Sequence, residues 1–181
     1  MKKQSIKSHL KPYSILQKRK TTINHAFASA LAPNDNYDEQ VIDEALRLLG
    51  QNPNKDMECV YCGREAETWD HLVGLVKDSQ LRGYGHQIGN LVPCCKNCNS
   101  KKGSKDWQQF IQSEIRDEQR RTVVEARMSQ YLERYAKPVD IDQMKKEMPQ
   151  DLAKYTELRD KIFELMKEAD RIAEKIRKSA R

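Results

Sequence analysis

The chain has 181 residues, of which 38% are hydrophobic, 7% aromatic and 33% charged. That apolar content supports one compact domain with helical attachments and excludes a large sheet enzyme. No stretch approaches the roughly 18 apolar residues of a membrane span.

The net charge of +6 is unevenly placed. Residues 1–25 hold seven basic residues and no acid, residues 59–105 seven and four, and residues 106–181 seventeen and sixteen. A basic N-terminus and a basic centre suit a polyanionic partner. The apolar stretch Ala26–Ala32 is too short and too far in for a secretory signal, and the lysine-rich start is unlike an arginine-rich transit peptide. Five cysteines without a secretory signal argue for a reducing, cytoplasmic setting and against a disulfide scaffold.

In chain order, residues 1–34 are basic and polar, with Pro12 and Pro33 as breakers. They predict an arm holding a short helix around Ser14–Lys20. Asn36, with Glu39 three residues on, predicts a capping box. The helix that follows carries Val41, Ile42, Ala45, Leu46 and Leu49 on one stripe, and Gly50 ends it. Residues 35–56 are thus a helix and linker. Residues 57–107 hold most of the glycines and all the cysteines, with short strands expected within Trp69–Val76 and Ile88–Pro93. Trp69 and Trp107 are expected to pack in the core.

Residues 108–181 form a helical region. Trp107, Phe110, Ile111 and Ile115 suit one helix. Val123, Val124, Met128, Tyr131, Leu132 and Tyr135 suit another, which Pro138 ends. Pro149 and Asp151 open the last. There Leu158, Ile162, Leu165, Ala169, Ile172 and Ile176 alternate spacings of four and three, a coiled-coil-like seam. A lone helix with such a seam is marginal unless the seam is buried. Two burials are open: the chain's own helix at Val123–Tyr135, or a second copy in a homodimer.

Cys59 and Cys62 form one C-x-x-C, and Cys95 and Cys98 another. Each such knuckle supplies two thiolates from one tight turn, and two of them complete the tetrahedron of a structural Zn2+. The 32 residues between the pairs exceed the usual ribbon gap of about 15–20. The metal therefore closes a loop large enough to contain something else. Cys94 is the odd thiol, either a small buried residue or a substitute for Cys95.

Inside that loop stand Asp70-His71 and then Asn90-Leu91-Val92-Pro93, with Asn99 and Lys102-Gly103 following Cys98. This ordered set resembles the HNH family of ββα-metal endonucleases in its zinc-binding form. The resemblance covers Cys59 to Trp107, and it implies an α+β fold: a small zinc-bound ββα-metal core flanked by N- and C-terminal helices. It also implies metal-dependent hydrolysis of DNA phosphodiesters, leaving 5′-phosphate and 3′-hydroxyl ends.

In that reading His71 is the general base, an imidazole whose ordinary pKa of about 6.5 suits proton abstraction at neutral pH. Asp70 and Asn99 are the oxygen ligands of a catalytic Mg2+, and Asn90 braces the loop behind the base. Asn99 equally suits an N-cap. His86 is either a DNA contact or a surface-loop histidine. Lys101, Lys102 and Lys105 are natural phosphate contacts, the partner being double-stranded DNA. A restriction, phage or mobile-element nuclease fits this size. The alternative is a non-catalytic, zinc-stapled nucleic-acid-binding module.

Overall fold

The computed structural model describes residues 3–77 and 80–180. Met1 and Lys2, where the expected basic arm begins, lie outside them. After a 3-10 turn at Lys3–Ser5, the helices in chain order begin with α1 (Ile6–His9), α2 (Ile15–Leu31) and α3 (Glu39–Leu48). Strands β1 (Thr68–His71), β2 (Val76–Lys77), β3 (Gln80–Leu81) and β4 (Leu91–Cys94) follow. Helices α4 (Lys96–Lys102), α5 (Trp107–Glu114), α6 (Glu118–Tyr135), α7 (Ile141–Glu147) and α8 (Pro149–Ser179) complete the order. The fold is α+β, mostly helical. β1 pairs with β4 and β2 with β3, both antiparallel.

The chain divides into two compact units, residues 28–144 and residues 1–27 with 145–181. The first unit holds the core. Tyr61, Leu72, Val92, Phe110, Ile111, Met128 and Tyr131 are buried around the β1–β4 pair. Tyr61 and Phe110 meet edge to face, ring centroids 5.0 Å apart, the favoured aromatic geometry. Helix α3 starts two residues later than the capping-box reading expects. Asp38 is the N-cap, and its carboxylate accepts from the Gln40 and Val41 amides. An ionised carboxylate there satisfies two orphan amides and meets the helix dipole. Gly50, at φ +79°, follows the helix in the left-handed region that glycine adopts without strain.

Strand β1 stops at His71, although the apolar run continues to Val76. Its alternation points Asp70 inward and Trp69 outward, so Trp69 is 45% exposed and not a core residue, while Trp107 is buried. The register pairs His71 with Leu91 and Asp70 with Val92.

The second unit contains most of α2 and all of α8. The 17-residue α2 replaces the short helix expected at Ser14–Lys20. Its start is capped from the other helix: the Asp170 carboxylate accepts from the Ile15 and Leu16 amides and the Ser14 hydroxyl. Phe27 and Tyr155 pack at 4.9 Å between centroids, and the Tyr155 hydroxyl donates to the Phe27 carbonyl. The covered face of α8 is thus the one bearing Tyr155 and Asp170. Leu158, Leu165, Ile172 and Ile176 of the predicted seam are 46–66% exposed. Among the described residues no helix is long and apolar enough to cross a membrane.

Candidate functional site

The four paired cysteines converge. Cys59 and Cys62 lie on the turn before β1, and Cys95 and Cys98 at the start of α4. Their sulfurs all lie within 4.8 Å of one another. The Cys62 and Cys95 sulfurs are 3.7 Å apart. Four thiolates about 2.3 Å from a central Zn2+ would stand about 3.8 Å apart, so the residues fit this ion.

The surroundings fit as well. Arg64 donates to the Cys62 and Cys95 sulfurs at 3.5 and 3.9 Å, offsetting thiolate charge. Cys95 also caps α4, its sulfur accepting from the Cys98 amide. Contact with the Cys94 sulfur draws the Cys59 pKa down to about 4. Burial, and then the nearby Cys59 thiolate, push Cys98 up. Four such thiols ionise together only around a cation. Cys94 stands apart from the cluster. Its thiol, held protonated by the Cys59 sulfur 4.0 Å away and by burial, donates to the Cys95 carbonyl at 3.3 Å. It is a buried neighbour of the site, and Cys95 keeps the ligand position.

Asn90 is fully buried between the two strands. Its side-chain carbonyl accepts from the Val73 amide at 2.8 Å, and its NH2 donates to the Val73 and Gly85 carbonyls, both at 3.0 Å. The Leu72 amide donates to its backbone carbonyl at 2.9 Å. One side chain therefore ties the segment after His71 to the turn before His86. His71 closes β1, half-buried, and its Nε2 lies 3.1 Å from His86 Nδ1.

Asp70 points the other way. The residue is 7% exposed, and its carboxylate receives the Tyr61 hydroxyl at 2.8 Å. The Lys102 ammonium sits 3.1 Å from Oδ2 and 3.3 Å from Oδ1 and also donates to the His71 carbonyl at 2.7 Å. Burial raises the Tyr61 pKa well above its ordinary value, and the neighbouring Asp70 charge adds to the effect, so the phenol stays a donor. A carboxylate offers about four lone-pair sites, and an ammonium and a phenol already hold both oxygens. A Mg2+ at Asp70 would therefore share the carboxylate with the Lys102 ammonium and the Tyr61 phenol.

Asn99 is half-buried and lies inside α4, four residues beyond the cap, with its amide bonded to the Cys95 carbonyl. It is not an N-cap. The three lysines part company. Lys102 is buried on Asp70, Lys101 is paired with Glu114 at 2.9 Å, and Lys105 lies over the Phe110 ring. Tyr61 and Arg64 belong to the site although the cysteine spacing singles out neither. Tyr61 stands inside the first knuckle, and its burial is set by tertiary packing. Arg64 follows the knuckle by two residues, and a basic residue so close to a C-x-x-C is a usable signal.

Residues 59–105, about a quarter of the chain, match the model of the HNH endonuclease family. Neither a curated protein nor a solved structure matches the chain. This stretch is similar to the HNH endonuclease family, and its four cysteines are placed to hold one metal ion.

Proposed function

We propose that the chain is an endonuclease that hydrolyses DNA phosphodiester bonds, with His71 as general base. His71 takes a proton from water as the water oxygen bonds to phosphorus. The P–O3′ bond breaks, leaving a 5′-phosphate and, after protonation, a 3′-hydroxyl. The observation that carries this reading is the support given to His71: a strand end in register with Leu91, and the buried Asn90 clamp behind it. A binding module has no use for an imidazole braced in this way.

Zinc serves as a positioning element, because four thiolates leave no open coordination position. Cys98 immediately precedes Asn99, so the knuckle sets where that amide emerges. Asp70 enters as an anchor for the strand bearing the base. Lys101 and Lys105 and the basic residues before residue 26 are the proposed phosphate contacts. The exposed seam of α8 has the heptad spacing that a second copy of the chain would use.

Nicking of supercoiled plasmid, run with Mg2+, with Mn2+ and with a chelator that spares the zinc, tests the reading. Cleavage lost in His71→Ala, with zinc content and DNA affinity kept, supports it. A purified chain that binds DNA and never cuts it points to the non-catalytic zinc module instead.

A further inference from the structure

We propose that His86 is a positioning residue for His71. It would accept a hydrogen bond at Nδ1 from the His71 Nε2–H and so fix the base's ring and tautomer. The inference rests on the nuclease reading for the direction of the hydrogen bond and for its consequence; the contact itself does not.

The two rings meet edge on, centroids 5.1 Å apart and planes at 67°, with Nε2 and Nδ1 at 3.1 Å. Neutral imidazole carries its proton on one nitrogen only, and the partner of the other nitrogen decides which. If His86 donated instead, it would occupy the Nε2 lone pair of His71. Accepting from Nε2–H makes Nδ1 the basic nitrogen.

The loop bearing His86 is held far more firmly than a connecting loop requires. The His86 amide donates to the Pro33 carbonyl at 2.8 Å, and the Asp35 amide donates to the His86 carbonyl at 3.3 Å, a single parallel bridge opposite Asn34. The Asp35 carboxylate accepts from the Ile88 amide at 2.8 Å. The Gln87 side chain donates to the Lys137 carbonyl. Asn90 donates to the Gly85 carbonyl at 3.0 Å. A Cβ at Gly85 would collide with the Pro33 carbonyl, so only glycine lets the two backbones come this close. Residues 33–35, the buried Asn90 and Gln87 thus fix the backbone on both sides of an imidazole that is itself exposed. Such restraint around an exposed ring makes sense where the ring's position matters.

The experiment compares the full-length zinc-loaded chain with His86→Ala and His86→Asn, whose side-chain oxygen falls near the position of Nδ1. Nitrogen-15 spectra of the imidazoles report the His71 tautomer without any need for activity. Nicking under single-turnover conditions reports the consequence. Expected is one His71 tautomer in wild type and in His86→Asn, and a mixture in His86→Ala. The cleavage rate should fall roughly tenfold or more in His86→Ala, with DNA affinity, zinc content and melting unchanged, and recover in His86→Asn. An unchanged tautomer in His86→Ala overturns the proposal. So does a loss confined to DNA affinity, which would make His86 a phosphate contact. If wild type fails to cut DNA, the nuclease reading falls while the tautomer spectra still decide the pairing.

Discussion

Lys102 and Asp70 form an ion pair at 3.1 Å with side chains only 2% and 8% exposed, linking the last turn of α4 to the residue before His71. Two ions removed from water cost several kcal/mol each, and that cost is offset only when the remaining donors and acceptors are also satisfied. Here they are: Tyr61 serves the carboxylate, and the His71 carbonyl serves the ammonium.

Breaking this pair from one side should therefore be severe. Lys102→Met leaves a carboxylate buried with a phenol as its remaining donor, and Asp70→Asn leaves the ammonium without its counter-ion. Each is expected to destabilise the core by about 3–5 kcal/mol. The double variant should lose less than the sum of the two. Denaturant unfolding measures all three. A Lys102→Met protein as stable as wild type would show that the two charges are not coupled in solution.

The zinc site yields a prediction that separates five cysteines. The purified chain should contain about one zinc. Cys59→Ser and Cys98→Ser should lose the metal and unfold the β1–β4 core, because structural zinc contributes on the order of 10 kcal/mol to folding. Cys94→Ala should keep it, since Cys94 donates to the Cys95 carbonyl and stands outside the cluster. Elemental analysis alongside melting decides it. Loss of zinc in Cys94→Ala would place Cys94 among the ligands.

The zinc knuckles were legible because local chemistry fixes them: a C-x-x-C turn brings its own two sulfurs together. The stripe of α3 was legible from its period, and its start was misplaced because Asp38 competes with Asn36 as cap. The fate of Lys102 was not legible. A lysine beside a glycine at a helix end reads as solvated, and only the packing of α4 on β1 turns it inward. Nor was the pairing of His71 with His86, fifteen residues apart, since it depends on residues 33–35 reaching across to the loop. The seam of α8 was legible as a pattern, but the helix buries another face, the one where Asp170 caps α2.

That cap carries a pH dependence. Donation from the Ile15 amide, then from the Ser14 hydroxyl and the Leu16 amide, holds the Asp170 carboxyl below its ordinary value. A carboxylate lowered on folding contributes stability above its unfolded pKa and loses it as pH falls through the folded one. The Ile15 and Leu16 amides should exchange slowly at neutral pH and faster once acid protonates Asp170. Asp170→Ala should exchange fast at all pH values. Hydrogen exchange at those two amides, corrected for intrinsic rates, is the measurement. Equal protection in wild type and variant would remove the cap from the account of how α2 begins.

The exposed seam bears on the proposed cleavage of duplex DNA. Leu158, Leu165 and Ile172 recur every seven residues, and Ile176 follows four on. Around them Glu157, Lys161, Glu164, Lys167, Glu168 and Arg171 supply both signs of charge. A second copy laid along α8 would cover these side chains and meet opposite charges in either orientation. It would also place two His71 sites about a two-fold axis, as cutting both strands of a symmetric target requires. The expected outcome is a reversible dimer in light scattering at micromolar concentration. Leu165→Glu should abolish it while leaving helix content and melting nearly unchanged, because Leu165 is 66% exposed in the single chain. The same variant should turn double-strand cleavage into nicking. A wild-type chain that stays monomeric with and without DNA would leave single-strand nicking as the reaction and the seam without a partner copy.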